Sequence, residues 1–278
     1  MKNIVKIVIA IMAVCSNIGV SAQRELSSFA REICGVAEND TVAVVPKGIK
    51  ELPSYAFADC HNLKKIIMPN SLTVIGEYAF LGCISLKEIH IPDNVTTIGE
   101  GAFRECESLQ SLNIPVGVKI IPRYMCAWDS SLISVSLPRG LKDISSHAFA
   151  YCGNLMEINI PAGVKHIGSN VFSNCESLVE MKVPSSVEEL ESYVFSGCES
   201  LERVELPAND KLLGEYLFTG CHNLKEIKCM SPKPAPFDCD SPMFDPSEGY
   251  MYKKCRLIVP TSQSELYKNS LVWCLFFE

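Results

Sequence analysis

The 278-residue sequence has few of the features that mark enzymes or nucleic-acid-binding proteins. It contains no lysine- and arginine-rich run and has a formal net charge of −7, which argues against a nucleic-acid surface and against binding to anionic lipid. No glycine-rich phosphate loop, triad motif or closely spaced cysteine pair of a zinc site is present. The five histidines occupy scattered positions without clustered acids or a nucleophile: His61, His90, His147, His166 and His222. We therefore expect no enzyme activity, no cofactor and no metal site.

Long apolar runs are also scarce, apart from one at the N-terminus. The basic residues Lys2 and Lys6 precede an apolar stretch over residues 7–14 and then small residues, so residues 1–22 are typical of a secretory signal cleaved after Ala22. The stretch is shorter than the roughly 20 residues of a membrane-spanning helix. Because the segment has two lysines and no acid, cleavage would move the charge from −7 to −9.

Aromatic residues make up only 8% of the chain, whereas hydrophobic residues make up 47%, and the apolar residues recur with a fixed period. Prolines set the period, at steps of 23 residues that define eight units: Pro46, Pro69, Pro92, Pro115, Pro138, Pro161, Pro184 and Pro207. Units of this size cannot bury an apolar face alone, so they must stack on one another. The sequence therefore predicts one elongated solenoid.

Within each unit, three segments have distinct patterns. The alternation around Ile66 and Met68 predicts a short strand with one buried face, which the following proline ends. The segment A-F-x-x-C fits one helical or 3₁₀ turn. Glycines such as Gly76 and Gly99 would permit a tight bend between the strand and the A-F-x-x-C segment.

The unit IPDNVTTIGEGAFRECESLQSLNIP resembles the BspA-like bacterial leucine-rich repeat, whose pattern is I-P-x-x-V-x-x-I-G-x-x-A-F-x-x-C-x-x-L-x-x-I-x-I-P. The resemblance implies an α/β-type leucine-rich repeat solenoid. Its parallel β-sheet would form the concave face, with short helical or 3₁₀ turns and extended segments on the convex face. Members of this family are mostly exported or surface proteins, and those with assigned roles are implicated in adhesion to host proteins, cells or other microbes. The family has no fixed binding motif, so no site residue is carried over.

The expected organisation has four parts. The signal over residues 1–22 precedes an N-terminal cap over 23–45, eight repeats over 46–229 and a C-terminal cap over 230–278. Caps are expected because the open ends of a solenoid would expose core. In the C-terminal cap we expect a strand over residues 257–259 and a short helix that returns Tyr267 and Trp273 to the core.

Fourteen cysteines in an exported chain would usually indicate disulfides. Seven of them instead share one repeat position, three residues after the repeated phenylalanine, and we interpret these as buried thiols: Cys60, Cys83, Cys106, Cys152, Cys175, Cys198 and Cys221. Four more lie in or near the C-terminal cap, where the sequence allows one or two disulfides in any of three pairings: Cys229, Cys239, Cys255 and Cys274.

One unit departs from the repeat, with Cys126 in the phenylalanine position, Asp129 in the cysteine position and Met125 in the alanine position. One interpretation is local repacking, in which Met125 and Trp128 fill the lost volume and Asp129 turns to solvent. The other is a convex contact site formed by Trp128 and Asp129, since an exposed tryptophan is a common binding anchor.

The expected binding surface is the concave sheet, where the strand residues between the buried ones point outward. We call this set the outward row: Ile67, His90, Asn113, Ser136, Asn159, Lys182, Glu205 and Lys228. Its uncharged centre suits hydrogen bonding to a protein or glycan ligand, which could be host-derived. We expect an adhesion or interaction protein that is secreted or held at the bacterial surface. The alternative is a non-catalytic scaffold of the cell envelope. The sequence leaves the oligomeric state open.

Overall fold

The chain forms a parallel-stranded solenoid of roughly eight turns, with few helices. The computed structural model describes residues 33–37, 39–209, 213–234, 243–270 and 272–277. The expected signal over residues 1–22 and Cys239 lie outside these ranges. Among the described residues, no helix has both the length and the apolar character needed to cross a membrane. The predicted repeat solenoid is confirmed.

The first sheet contains one strand from each turn, in the predicted L-x-x-I-x-I segment. Its strands pair in parallel with the equivalent strands of neighbouring turns, as Ile66 does with Ile89. They fall into three hydrogen-bonded groups. The strands are β1 Val42–Val44, β3 Lys65–Ile67, β5 Glu88–Ile89, β7 Ser111–Asn113, β9 Ser134–Ser136, β11 Glu157–Ile158, β13 Glu180–Lys182, β15 Arg203–Leu206, β16 Glu226–Cys229 and β17 Arg256–Ile258.

A second parallel sheet runs along the segment that precedes the repeated glycine. It is built from two-residue strands, each with its second residue turned into the core. The strands are β2 Glu51–Leu52, β4 Val74–Ile75, β6 Thr97–Ile98, β8 Ile120–Ile121, β10 Asp143–Ile144, β12 His166–Ile167 and β14 Glu189–Leu190. The coil therefore has two strand-bearing faces, which bury their apolar residues against each other.

The A-F-x-x-C segment is not the continuous helical or 3₁₀ turn that the sequence predicts. The residues two before and two after Phe57, Tyr55 and Asp59, both have a positive φ near 60°. Equivalent pairs recur along the stack, including Tyr124 and Trp128. Because the backbone alternates in this way, alternate N–H groups point to the next turn: Tyr55, Phe57 and Asp59 donate to carbonyls 22 residues ahead at 2.7–2.8 Å. The outer segment is thus held by hydrogen bonds between turns.

The core beneath this segment is a column of stacked phenylalanines. Phe57, Phe80 and Phe103 lie with ring centroids 5.6 and 5.4 Å apart and nearly parallel planes. A second stack begins at Phe149, where the distance to Phe172 is 5.8 Å. The seven cysteines that lie three residues after the repeated phenylalanine position are buried, as predicted. The thiols also donate a hydrogen bond that the sequence does not reveal, for example from Cys83 Sγ to the Phe57 carbonyl at 3.1 Å.

The repeated glycine is required by close approach between turns and not by a special turn conformation. A Cβ atom on Gly99 would lie 2.4 Å from the backbone nitrogen of Glu77, and one on Gly214 would lie 2.2 Å from the carbonyl carbon of Glu191. Neither glycine has a positive φ. A side chain at Gly99 or Gly214 would therefore require the neighbouring turn to shift, although other turns hold Pro122, Ser145 and Glu191 at the same repeat position.

The C-terminal end of the stack is followed by one strand and several short helices. Strand β17, at Arg256–Ile258 where residues 257–259 were expected, pairs with β16 and extends the first sheet. Two short helices, α1 Met251–Lys254 and α2 Ser264–Lys268, flank it, with 3₁₀ helices at Pro246–Glu248, Thr261–Gln263 and Trp273–Phe276. Tyr267 and Trp273 are fully buried and meet edge to face at 5.2 Å. Among the described tail cysteines, Cys229, Cys255 and Cys274 form no disulfide.

Candidate functional site

The outward row lies on the first sheet with its side chains directed away from the core. Its first six members are exposed and its last two are partly exposed. The intervening strand residues, such as Leu112 and Val135, are buried. The row is apolar at Ile67, which is 48% exposed, and uncharged at Asn113 and Ser136, which are paired across β7 and β9. Alternation along each strand therefore separates the residues that build the fold from those available for contact.

The C-terminal half of the row lines a groove of about 590 Å³ on the first sheet, with Asn159, Lys182, Arg203 and Lys228 at its walls. Its charges are matched. Glu205 accepts from Lys182 Nζ at 3.3 Å and from Lys228 Nζ at 3.2 Å. Partial burial opposes ionisation of Glu205, but the hydrogen bonds from both lysines outweigh it and lower the pKa of its carboxyl. The charged side chains that line the groove therefore sum to a charge close to zero.

The predicted convex contact at Trp128 is a stacked ring with both faces covered. The indole lies 5.1 Å from the Tyr151 ring and nearly parallel to it. The Arg104 guanidinium lies 4.5 Å from the indole centroid. These partners come from the following and the preceding turn, so Trp128 presents mainly its edge to solvent. The indole is therefore half-buried against neighbouring turns, and a convex contact at Trp128 stays a prediction.

Asp129 is fully buried, so the prediction that it turns to solvent is wrong, and its side chain is not accessible to a ligand on the convex face. It occupies the cysteine position of the repeat, where the coil directs every side chain into the core. Asp129 Oδ1 accepts a hydrogen bond from the backbone N–H of Cys106 at 2.8 Å. Burial raises the pKa of its carboxyl well above the usual value, although that hydrogen bond opposes the shift. Burial inside the core therefore favours the neutral form of Asp129.

A second polar site, which the sequence did not predict, lies on the second sheet around His166. The histidine pairs with Asp143 on β10 and Glu189 on β14 as cross-strand neighbours. His166 Nδ1 lies 2.7 Å from Asp143 Oδ2. His166 Nε2 lies 2.8 Å from Glu191 Oε1 and 3.9 Å from Glu189 Oε2. We call these four residues the His166 cluster.

The electrostatics of the His166 cluster favour a charged imidazole. Partial burial opposes the charge, but hydrogen bonds to Glu191 and Asp143 raise the pKa of His166. The expectation that no histidine has clustered acids is therefore wrong. Asp143, His166 and Glu189 are spaced 23 residues apart, and this shared repeat position was the available signal.

Comparisons with known proteins agree with this architecture. The BspA type leucine rich repeat region matches in six copies, over residues 50–178 and 142–233. No curated protein matches the chain. A leucine-rich repeat protein from Bacteroides ovatus has the same fold, with a TM-score of 0.55 and 23% identity over 82% of this chain and 64% of its own. The chain thus spans somewhat less than two thirds of that protein.

Two further solved structures are similar. The leucine rich repeat protein of T. pallidum is 30% identical over 67% of this chain and 78% of its own, with a TM-score of 0.49. A leucine rich cell surface protein from Faecalibacterium prausnitzii is 23% identical over 85% of this chain and 84% of its own, with a TM-score of 0.45. The repeat match covers well over half of the chain, which therefore belongs to the BspA-type leucine-rich repeat family.

Proposed function

We propose that the protein is a recognition module that binds a protein ligand on the outward face of the first sheet. The outward row carries this proposal, because it offers a continuous set of side chains that the core does not use. Leucine-rich repeat proteins bind protein partners, and the family is typically non-catalytic. Both properties support a binding role over an enzymatic one.

The binding site would centre on Asn113, Ser136 and Asn159 and extend into the neighbouring groove. An uncharged amide and hydroxyl surface can donate and accept hydrogen bonds. Because the adjoining lysines and glutamates already pair with each other, they would confer specificity more than net attraction. We therefore expect the affinity for the ligand to depend most strongly on the neutral centre of the outward row.

We also propose that the chain is exported through the signal at residues 1–22 and acts at the cell surface, in adhesion to host proteins or glycans. The sequence of that segment supports export. N-terminal sequencing of the protein recovered outside the cytoplasm tests it: a mature chain that begins at Gln23 is expected, and a retained Met1 would contradict cleavage.

A binding screen against host matrix proteins, mucins and glycans tests the recognition role. Any ligand found is then measured with the double variant Asn113→Glu, Ser136→Glu, which we expect to lose at least tenfold in affinity. The matched control is Thr97→Glu, Ile120→Glu, which adds the same charge to exposed positions on the second sheet. Unchanged binding by the first variant would contradict the site, and a screen with no hit above control would favour an envelope scaffold.

A further inference from the structure

Within the part of the chain that the structure describes, the carboxylates of the His166 cluster differ from those of the first sheet in having no ion pair with lysine or arginine. On the first sheet, Glu205 pairs with two lysines and Glu180 with Arg203. Among the described residues, the ion pairs formed by Asp143, Glu189 and Glu191 are all with His166. Three carboxylates therefore share one imidazole, and even a protonated imidazole leaves a local excess of two negative charges.

We propose that His166, Glu189 and Glu191 bind a divalent transition-metal cation of the Zn²⁺ type. One possible ligand atom from each residue lies within 4.8 Å of the others, so modest side-chain movements can bring all three to about 2 Å from a shared centre. One imidazole nitrogen with two carboxylate oxygens suits zinc-like cations, whereas Ca²⁺ and Mg²⁺ prefer oxygen ligands alone. Water would complete the coordination on the solvent side.

The surroundings of His166 match those of a metal-binding histidine. Such histidines usually donate their second ring N–H to a carboxylate, which fixes the ring and the tautomer. Asp143 occupies that position on Nδ1 and leaves Nε2 directed at the two glutamates. A cation would bind Nε2 in place of its proton, which is released to solvent. Asp143 is itself held by Ser145 Oγ, which donates to Oδ1 at 2.7 Å. The imidazole is thus oriented before any cation arrives.

Glu191 is the one carboxylate at its repeat position, which holds glycine in four units and proline or serine in the other three: Gly76, Gly99, Gly168 and Gly214, then Pro53, Pro122 and Ser145. The stack does not require a carboxylate there. The Glu191 carboxylate is nevertheless fixed: Oε2 accepts from the backbone N–H of Ser169 at 2.8 Å and from its hydroxyl at 2.6 Å. Its other oxygen, Oε1, faces His166. The departure from the repeat supplies the ligand that lies closest to Nε2.

Titration calorimetry of the full chain with ZnCl₂ tests the proposal, with CaCl₂ as a second probe. We expect one equivalent of zinc and much weaker calcium binding. His166→Gln and Glu191→Gln should each weaken zinc binding by about 100-fold, and Asp143→Asn by roughly 10- to 100-fold through loss of ring orientation. Glu189→Gln keeps both hydrogen bonds of His166, so it reports on coordination even where the other variants disturb folding.

The matched control is His222→Gln, because among the described residues His222 forms an ion pair with a single carboxylate, 3.6 Å from Glu248 Oε1. It should bind zinc like the wild-type chain. Thermal denaturation of each variant with and without zinc gives an independent measure, since a cation bound to the folded chain raises its melting temperature. The proposal is overturned if zinc gives no stoichiometric binding, or if Glu189→Gln and His166→Gln bind it as the wild type does.

Discussion

Two neighbouring turns of the stack show how much variation the coil accepts. In the regular turn, Phe103 stacks on Phe80 and the Cys106 thiol donates to the Phe80 carbonyl at 3.2 Å. In the odd turn, Cys126 and Asp129 occupy the same two positions. The phenylalanine column is therefore interrupted at Cys126, which separates the stack ending at Phe103 from the stack beginning at Phe149.

The backbone is nevertheless continuous across both turns. Phe103 N–H donates to the Met125 carbonyl at 2.9 Å, and Cys126 N–H donates to the Ala148 carbonyl at 2.8 Å. The two turns thus form the same bonds with different side chains. Backbone pairing between turns sets the shape of the coil, and the side chains need only fill the space and satisfy their polar atoms.

The two turns should differ most in the free energy of unfolding that is lost when the residue at the phenylalanine position is truncated to alanine. Phe103→Ala should lower the free energy of unfolding by about 3–5 kcal/mol, since it removes a buried ring and leaves a cavity. Cys126→Ala, the matched change in the odd turn, should cost about 1–2 kcal/mol because it removes one buried sulfur and its hydrogen bond with Asp129. Urea denaturation measures both, and equal costs would show that the odd turn is packed as tightly around its small residue as the regular turn is around the ring.

Asp129 gives the odd turn a pH dependence that the regular turn lacks. Its folded-state pKa is raised by burial, so the folded chain keeps a proton that the unfolded chain loses above about pH 4. Stability should therefore fall as pH rises from 4 towards the folded pKa, by up to about 1.4 kcal/mol per pH unit. Asp129→Asn mimics the neutral acid, and its stability advantage over wild type should grow across this range.

Chemical denaturation at several pH values measures that advantage. The control is Asp93→Asn, which alters an exposed carboxyl on a regular turn and should change stability by the same small amount at every pH. A difference between wild type and Asp129→Asn that stays constant from pH 4 to pH 7 would mean that Asp129 is not held neutral in the core.

The strands and the core could be read from the sequence, because period and alternation specify both. Met68 and Leu72 are buried as their spacing requires, and the outward row follows from the same alternation. The outer segment could not be read in this way. The positive φ of Tyr55, Tyr78 and Tyr124 is unusual for non-glycine residues. Gly101 and Asn170 at the same repeat position favour such a φ, but the tyrosines of most turns obscure this signal.

The second sheet shows a related limit of the sequence. Asp143, His166 and Glu189 lie in one row only because consecutive turns stack in register. Glu191 joins them from outside its strand, at a position that the repeat pattern assigns to glycine. Side chains that depart from the repeat come together through the fold, so a description based on the repeat consensus passes over them. Asp129 was misjudged for the same reason, since its polarity suggested solvent while its position in the coil faces the core.

A smaller loss of stability is expected from removing the thiol of another turn with the regular sequence, Cys198. Cys198 Sγ donates to the Phe172 carbonyl at 3.1 Å, and that carbonyl also accepts from the Cys175 N–H at 3.2 Å. Cys198→Ala should therefore cost about 1–2 kcal/mol, from lost packing and one weak hydrogen bond. Burial raises the pKa of Cys198 to about 12, so the native thiol should also resist labelling by an aromatic disulfide at pH 8. Rapid labelling of Cys198 in the native chain would contradict its placement in the column.

The smallest effect on the free energy of unfolding is expected for exposed side chains that do not pack in the core. The pair Asn113→Glu, Ser136→Glu changes two exposed residues on adjacent strands, so it should alter the free energy of unfolding by about 0.5 kcal/mol or less, apart from mild repulsion between the new charges. Thr97→Glu, Ile120→Glu should behave alike on the second sheet. A loss as large as that of Phe103→Ala would show that the outward row supports the fold. A neutral result leaves these positions free for recognition, so any loss of binding by the first pair reports on contact and not on folding.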